Sequence, residues 1–258
     1  MNIVVLIKRV PDTETRIQIK DGKVVTDGIS WIISPYDEYA VEEALRLIEK
    51  HTGKVTLLCV GPDEAKETIR KGLALGADDA VHVNDPALLN GDAVTTSIVL
   101  AAALKKMQYD LVLAGKQAVD EDNAQVAIRV AELLNLPQVN SVIKLELSDD
   151  KKSAHCTREV DGDRDLAETS LPALITAQQG LNEPRYPSLK GIMGAKKKPI
   201  TDWKASDLGL APATLTAKIK VVHIDPPAAR PPGKKIAGDA ATAAKELARL
   251  LHEEAKVV

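Results

Sequence analysis

Phenylalanine is absent from this chain of 258 residues, and aromatic residues of every kind make up only 2% of it. A domain of this length must therefore fill its core with Val, Ile, Leu and Ala. Cysteine is scarce as well. Cys59 and Cys156 are the two present, without a CxxC spacing, which points away from a metal knot or disulfide framework and toward a reducing compartment. Neither sign of charge is in excess, with 34 Lys and Arg against 37 Asp and Glu. That balance excludes the broad positive field of a general nucleic-acid binder. No apolar window approaches the length of a membrane span. Met1 leads directly into strand-forming residues, with no basic region of a secretory signal, so a cytoplasmic protein is expected. The glycines form neither GxxxxGK nor GxGxxG. His51, His82, His155, His223 and His252 share no motif, and none stands out as a catalytic acid or base.

What is present is an alternation of strands and helices. Ile3 to Ile7 is a continuous apolar run, as expected for a strand covered on both faces. Arg16 to Lys20 and Lys23 to Val25, joined by Asp21-Gly22, read as a hairpin. Pro35 to Lys50 reads as a helix, with Ser34 as N-cap and Ala40, Val41, Ala44, Leu45 and Ile48 as its apolar stripe. A second core strand covers Val55 to Val60. A helix then runs to about Leu75, with Gly76 at its left-handed cap. Ala80 to Val83, a helix from Asp92 to Met107, and Leu111 to Ala114 continue the pattern. Such alternation predicts an α/β fold, doubly wound around a mostly parallel sheet. After Pro137, Ser141 to Leu147, Ser153 to Val160 and Arg164 to Thr169 alternate apolar and polar, which adds antiparallel strands, and Leu171 to Ala177 returns to a buried run. The expected organisation is a domain over 1–210 and a C-terminal arm over 211–258. The arm carries a proline-rich stretch, Pro226 to Pro232, and a last helix, Asp239 to His252.

The stretch from Val112 to Pro137 says most about function. A short apolar strand ends at Gly115, a polar loop of Lys116, Gln117, Asp120, Glu121, Asp122 and Asn123 follows, and then Val126, Val130, Leu133 and Leu134 fall on one helical face. A strand end, a loop and a helix N-terminus bring free backbone N–H groups together at the edge where doubly wound sheets bind ligands. Such a place holds an anion, or it is a capped helix following a strand. The acidic run fits an anion site only if its carboxylates turn away to cap backbone donors, while main-chain N–H groups from Gln125 onward face the phosphate.

A second stretch, Leu181 to Pro199, reads LNEPRYPSLKGIMGAKKKP. Pro184 and Pro187 stiffen it, and Leu189, Ile192 and Met193 follow beside Lys196, Lys197 and Lys198. Apolar residues on an extended, proline-braced loop suggest a docking surface with an aliphatic anchor and a basic rim. The alternative is a surface connection whose apolar residues fold back onto the core.

Taken in order, VLIKRVPD, SPYDEYAVEEALR, TIRKGLALGADDAVHV, AGKQAVDEDNAQV and LNEPRYPSLKGIMGAKKKPI resemble the beta subunit of electron-transfer flavoproteins, from Ile3 to about Leu210. The resemblance implies a sheet of adenine-nucleotide-binding type and an electron-carrier subunit in place of an enzyme. It also implies an obligate alpha-subunit partner that holds most of the redox FAD, and an AMP buried as a structural cofactor. The implied AMP contacts are Leu6, Ser34, Pro35, Tyr36, Asp37, Val60, Gln117, Ala118, Val119, Asp120, Glu121, Asp122, Asn123, Ala124, Gln125, Val126, Ala127 and Ile128. Ser34 stands where the family often has Asn, and Tyr36 is implied to lie beside the flavin's dimethylbenzene edge. The implied recognition loop docks acyl-CoA or related dehydrogenases through Leu189, Ile192, Met193, Lys196 and Lys197, with Gly194 where some relatives have lysine. A quinone-linked oxidoreductase is the implied acceptor. Some members bifurcate electrons and hold a second FAD in the AMP site. They often have glycine where this chain has Glu121, which favours AMP here. A stand-alone adenine-nucleotide sensor is the reading from another class.

Overall fold

The computed structural model describes residues 1–88, 91–230 and 232–258. Its chain path runs β1 (Asn2–Leu6), β2 (Arg9–Pro11), β3 (Ile19–Lys20), β4 (Lys23–Val24), β5 (Trp31–Ile33), α1 (Pro35–His51), β6 (Lys54–Val60), α2 (Ala65–Leu75), β7 (Asp79–Val83) and α3 (Ala93–Leu104). It continues with β8 (Leu111–Gly115), α4 (Val126–Leu134), β9 (Gln138–Leu147), β10 (Ser153–Val160), β11 (Asp163–Ser170), β12 (Ala173–Ala177), α5 (Leu189–Ala195), β13 (Ile200–Trp203) and α6 (Ala240–Leu250).

Met1–Ile17 together with Thr26–Val222 form one unit. Its nine-stranded sheet has the order β11-β10-β9-β12-β8-β1-β6-β7-β13. From β9 to β13 neighbouring strands are parallel. β10 and β11 add antiparallel pairs beyond β9. The alternating pattern after Pro137 thus marks a hairpin extension of the same sheet.

Side chains of a strand alternate between faces, and β1 shows the result. Ile3 and Val5 pack in one apolar cluster with Ala40, Val41, Ala44, Ile69 and Leu73 from α1 and α2. Val4 and Leu6 pack in the other, with Val99, Leu100 and Val130 from α3 and α4. Helices on both faces confirm the doubly wound fold. The α4 stripe needs a correction. Val130 is buried and Val126 and Leu134 pack against the core as expected, whereas Leu133 is exposed and Ala127 and Ala131 complete the buried face. At 3.6 residues per turn Leu133 falls beyond the edge of the face that Ala127, Val130 and Ala131 bury.

The second unit comprises Gln18–Val25 and His223–Val258. β3 and β4 form the expected hairpin, shorter than its sequence pattern, and Asp21 and Gly22 both have positive φ, as a type I′ turn requires. In the same unit Asp239 caps α6 by accepting from the Thr242 amide at 2.8 Å. No residue of α6 is buried.

Candidate functional site

The chain leaves β1 for β6 and β7 on one side, then returns to β8 on the other side of β1. The order of strands therefore reverses between β1 and β8, and in this fold class ligands sit beyond the carboxyl ends of strands at such a point. A cavity of about 420 Å³ lies there, within the range of about 300–1,000 Å³ typical of small-molecule sites.

Asp37 holds the two sides of this crevice together. Its carboxylate accepts from the Lys8 amide at 2.8 Å, just past β1, and from the Gly115 amide at 3.0 Å, the last residue of β8. Burial pushes its carboxyl up to about 7, against the pull of those two amides and of the Lys8 charge. Gly115 must be glycine for this contact. A Cβ there would meet Asp37 Oδ1 at 2.5 Å and the Tyr36 Cβ at 2.6 Å.

Of the residues expected at the site, Leu6, Asp37, Val60, Gln117, Ala118, Asp120, Glu121, Asn123, Ala124, Gln125, Val126 and Ala127 line the cavity. Ser34, Pro35, Tyr36, Val119, Asp122 and Ile128 stand outside its lining. Ser34 occupies the N-cap position of α1, but its side chain makes no capping bond, and its buried hydroxyl has no partner among the described residues. Tyr36 lies under the Lys116 ammonium, 5.2 Å from the ring centre.

The acidic loop is arranged differently from the capping expected of it. Asp120 pairs with Lys8 at 2.8 Å, Glu121 lies 3.5 Å from the same ammonium, and Asp122 accepts from the Gln117 amide group. None of the three caps a backbone donor among the described residues. Asn123 does so, accepting from the Gln125 N–H at 3.2 Å. Lys8, just past the end of β1, lines the same crevice and draws Asp120 and Glu121 to itself. Asp122 and Ala124 both take a left-handed backbone, at φ 48° and 51°, which turns the chain sharply into α4. Gln125 makes no side-chain cap, so the first-turn N–H groups of Val126, Ala127 and Ile128 have no intrahelical acceptor.

Sequence reasoning missed a second wall. Lys8, Arg9, Trp31, Gly61, Pro62, Thr96 and Leu100 also line the cavity. Thr96 and Leu100 come from α3, whose capping box at Asp92 and Thr95 is legible as D-x-x-T. Arg9 and Trp31 come from the small β2–β5 ribbon, too short to leave a periodic signal.

The stretch after Leu181 is irregular through its two prolines, but its apolar residues are on a helix and not on a loop. Leu189–Ala195 forms α5, started by Ser188, whose hydroxyl accepts from the Gly191 amide at 3.0 Å. Leu189, Ile192 and Met193 remain exposed on it, Leu189 at 76%. The segment is fixed from both ends. Arg185 pairs with Glu42 at 2.7 Å and also bonds Glu49, while Asn182 donates to Glu43 at 2.9 Å. Burial alone would raise the Glu42 carboxyl, but hydrogen bonds from Arg185 and Arg46 outweigh it and hold it below its ordinary value. Arg70 of α2 donates to the carbonyls of Ala195 and Lys198. Gly191 lies so close to α2 that a Cβ would clash with the Ala74 carbonyl oxygen. Lys196 and Lys197 are exposed, but Lys198 is not a rim charge. Its ammonium donates to the carbonyls of Leu73, Gly76 and Ala77 at the end of α2, where a cation meets orphan carbonyls and the negative end of the helix dipole.

Fold and site define a doubly wound α/β protein with a ligand-sized cavity at its switch point and a separate, braced apolar helix on its surface. Residues 21–208 match the electron transfer flavoprotein domain, and the chain belongs to that family. It is 46% identical over 259 residues to the electron transfer flavoprotein subunit beta of Bacillus subtilis, covering 100% of both chains. It is 40% identical to that of Bos taurus, covering 97% of this chain and 99% of the other. A subunit of the caffeyl-CoA reductase-Etf complex of Acetobacterium woodii is 41% identical over 215 residues, covering 82% and 81%.

Proposed function

We propose that this chain, as the beta subunit of a heterodimeric electron carrier, binds AMP structurally in the switch-point cavity and docks an electron donor through α5. The alpha subunit holds most of the redox FAD and covers the unburied apolar side of α6. The observation that carries the nucleotide reading is the cavity itself. It combines about 420 Å³ of space with unsatisfied N–H groups at the start of α4, a surrounding suited to a phosphate. No turnover of the nucleotide is expected. Leu189, Ile192 and Met193, with Lys196 and Lys197 beside them, suit a donor with an apolar pocket and an acidic rim, of the acyl-CoA dehydrogenase class. A quinone-linked oxidoreductase takes the electrons onward.

The test is purification with and without the alpha subunit, followed by mass identification of released nucleotide. One AMP and one FAD per heterodimer is the expected result. Two FAD would move the reading to the bifurcating form. That second reading draws support from the Acetobacterium woodii relative, whose name places it in a reductase-Etf complex. Glu121 in the acidic loop favours AMP. No released nucleotide would sink both readings.

A further inference from the structure

Three cations border the cavity: Lys8, Arg9 and Lys116. Lys8 is neutralised by Asp120 and Glu121. Lys116 reaches over Tyr36 on a flexible stem. Arg9 differs from both. In the β2–β5 ribbon Arg9 is opposite Ile33 and Pro11 is opposite Trp31, so Arg9 and Trp31 are diagonal neighbours on one face of the ribbon. The guanidinium stacks on the indole, 3.6 Å from the ring centre. Trp31 is itself held, because its carbonyl accepts from the Lys71 ammonium at 2.7 Å.

Stacking occupies a face of the guanidinium and leaves its edges, with their N–H donors, free. Arg9 has no ion pair or side-chain hydrogen bond among the described residues. Burial lowers its basicity, and the charges of Glu64 and Glu67 offset this only in part. A fixed, partly desolvated cation on a cavity wall with no ion-pair partner among the described residues is costly unless a ligand supplies the anion. We infer that Arg9, oriented by Trp31, is a binding residue for the phosphate of the nucleotide in this cavity. The inference rests on the nucleotide reading above and adds a side-chain contact from the β2–β5 ribbon. A planar fork suits a phosphate ester, whose oxygens accept two parallel N–H bonds.

The test uses the full heterodimer, stripped of nucleotide and titrated by calorimetry with AMP and, separately, with adenosine. Arg9→Met should weaken AMP about tenfold or more, the size expected for hydrogen bonds to a charged group. It should leave adenosine within about twofold, the scatter expected for a change that removes no contact to it. Arg9→Lys keeps the charge but loses the fork and should fall between the two. An Arg9→Met protein that binds AMP as the wild type does overturns the assignment while leaving the nucleotide reading intact. Equal loss of AMP and adenosine also overturns it, because Arg9 would then support the base or the fold. A wild-type heterodimer that binds neither ligand overturns the nucleotide reading and this assignment together.

Discussion

The Asp37 carboxylate and the Gly115 amide meet at 3.0 Å across the point where the strand order reverses. With the second oxygen on the Lys8 amide, one side chain ties the exits of β1 and β8 together and sets the width of the crevice between them.

A pH dependence follows from the burial of that carboxyl group. Asp37 is raised from 3.8 to about 7 in the folded chain, chiefly by burial. The folded state therefore binds the proton more tightly than the unfolded state. The stabilisation from this group is full below about pH 4 and is lost as pH rises through about 7, a change of order a few kcal/mol. Asp37→Asn should flatten this part of the stability profile. Urea unfolding of both proteins from pH 4 to pH 8 checks it. Parallel profiles would show that Asp37 carries no such shift.

Leu189→Ala should weaken donor docking by about 1–3 kcal/mol, as for other interface anchors, and leave the flavin spectrum unchanged. Replacing Lys196 and Lys197 by neutral residues should slow association at low salt more than it alters release. Stopped-flow reduction by the donor dehydrogenase separates the two effects. A native reduction rate at every donor concentration would rule out α5 as the anchor.

Lys198 should behave unlike its two neighbours. Its ammonium serves three carbonyls of the α2 terminus, so Lys198→Met should cost about 1–3 kcal/mol of stability. The salt dependence of donor association should stay as it was. Denaturant titration beside the kinetics of the previous experiment would reveal a Lys198→Met protein of unchanged stability, which contradicts this role.

Ala124 has φ 51°, a backbone region that costs an L-residue about 1–2 kcal/mol and glycine little. Ala124→Gly should therefore raise stability by roughly 0.5–1 kcal/mol once the entropy of glycine is subtracted. A lower melting temperature for the variant would mean that the Ala124 methyl makes a contact worth more than the strain.

The central parallel strands were legible because they are buried on both faces and read as apolar runs. The Ile3 to Ile7 run is an example. By contrast, β13 at the edge, half exposed, left no such run, and β9 alternates although it pairs parallel with β12. The crevice was legible too, since a strand ending at Gly115 before a helix is a local pattern. Contacts that depend on distant segments meeting were not legible. Lys8 and Asp120 are 112 positions apart in their hydrogen bond, so the acidic loop looked free to cap its own helix. Arg70 and Lys198 likewise join α2 to residues more than a hundred positions away, and no periodicity in Leu181 to Pro199 announces that α2 will support a helix there. Short elements such as the β2–β5 ribbon carry too few residues for a pattern at all.

The two basic neighbours Arg70 and Lys71 of α2 reach to different places. Arg70 holds the far end of α5, and Lys71 holds the Trp31 carbonyl on the cavity wall. A helix of 11 residues is about 16 Å long, so a single short rod is mortised into both. Substitutions that tilt or slide α2 must disturb both places at once. Changes to the exposed side chains of α5 leave α2 untouched. The docking face is therefore free to drift toward new donors by surface substitutions alone, while its foundation is held in place by the demands of the cavity.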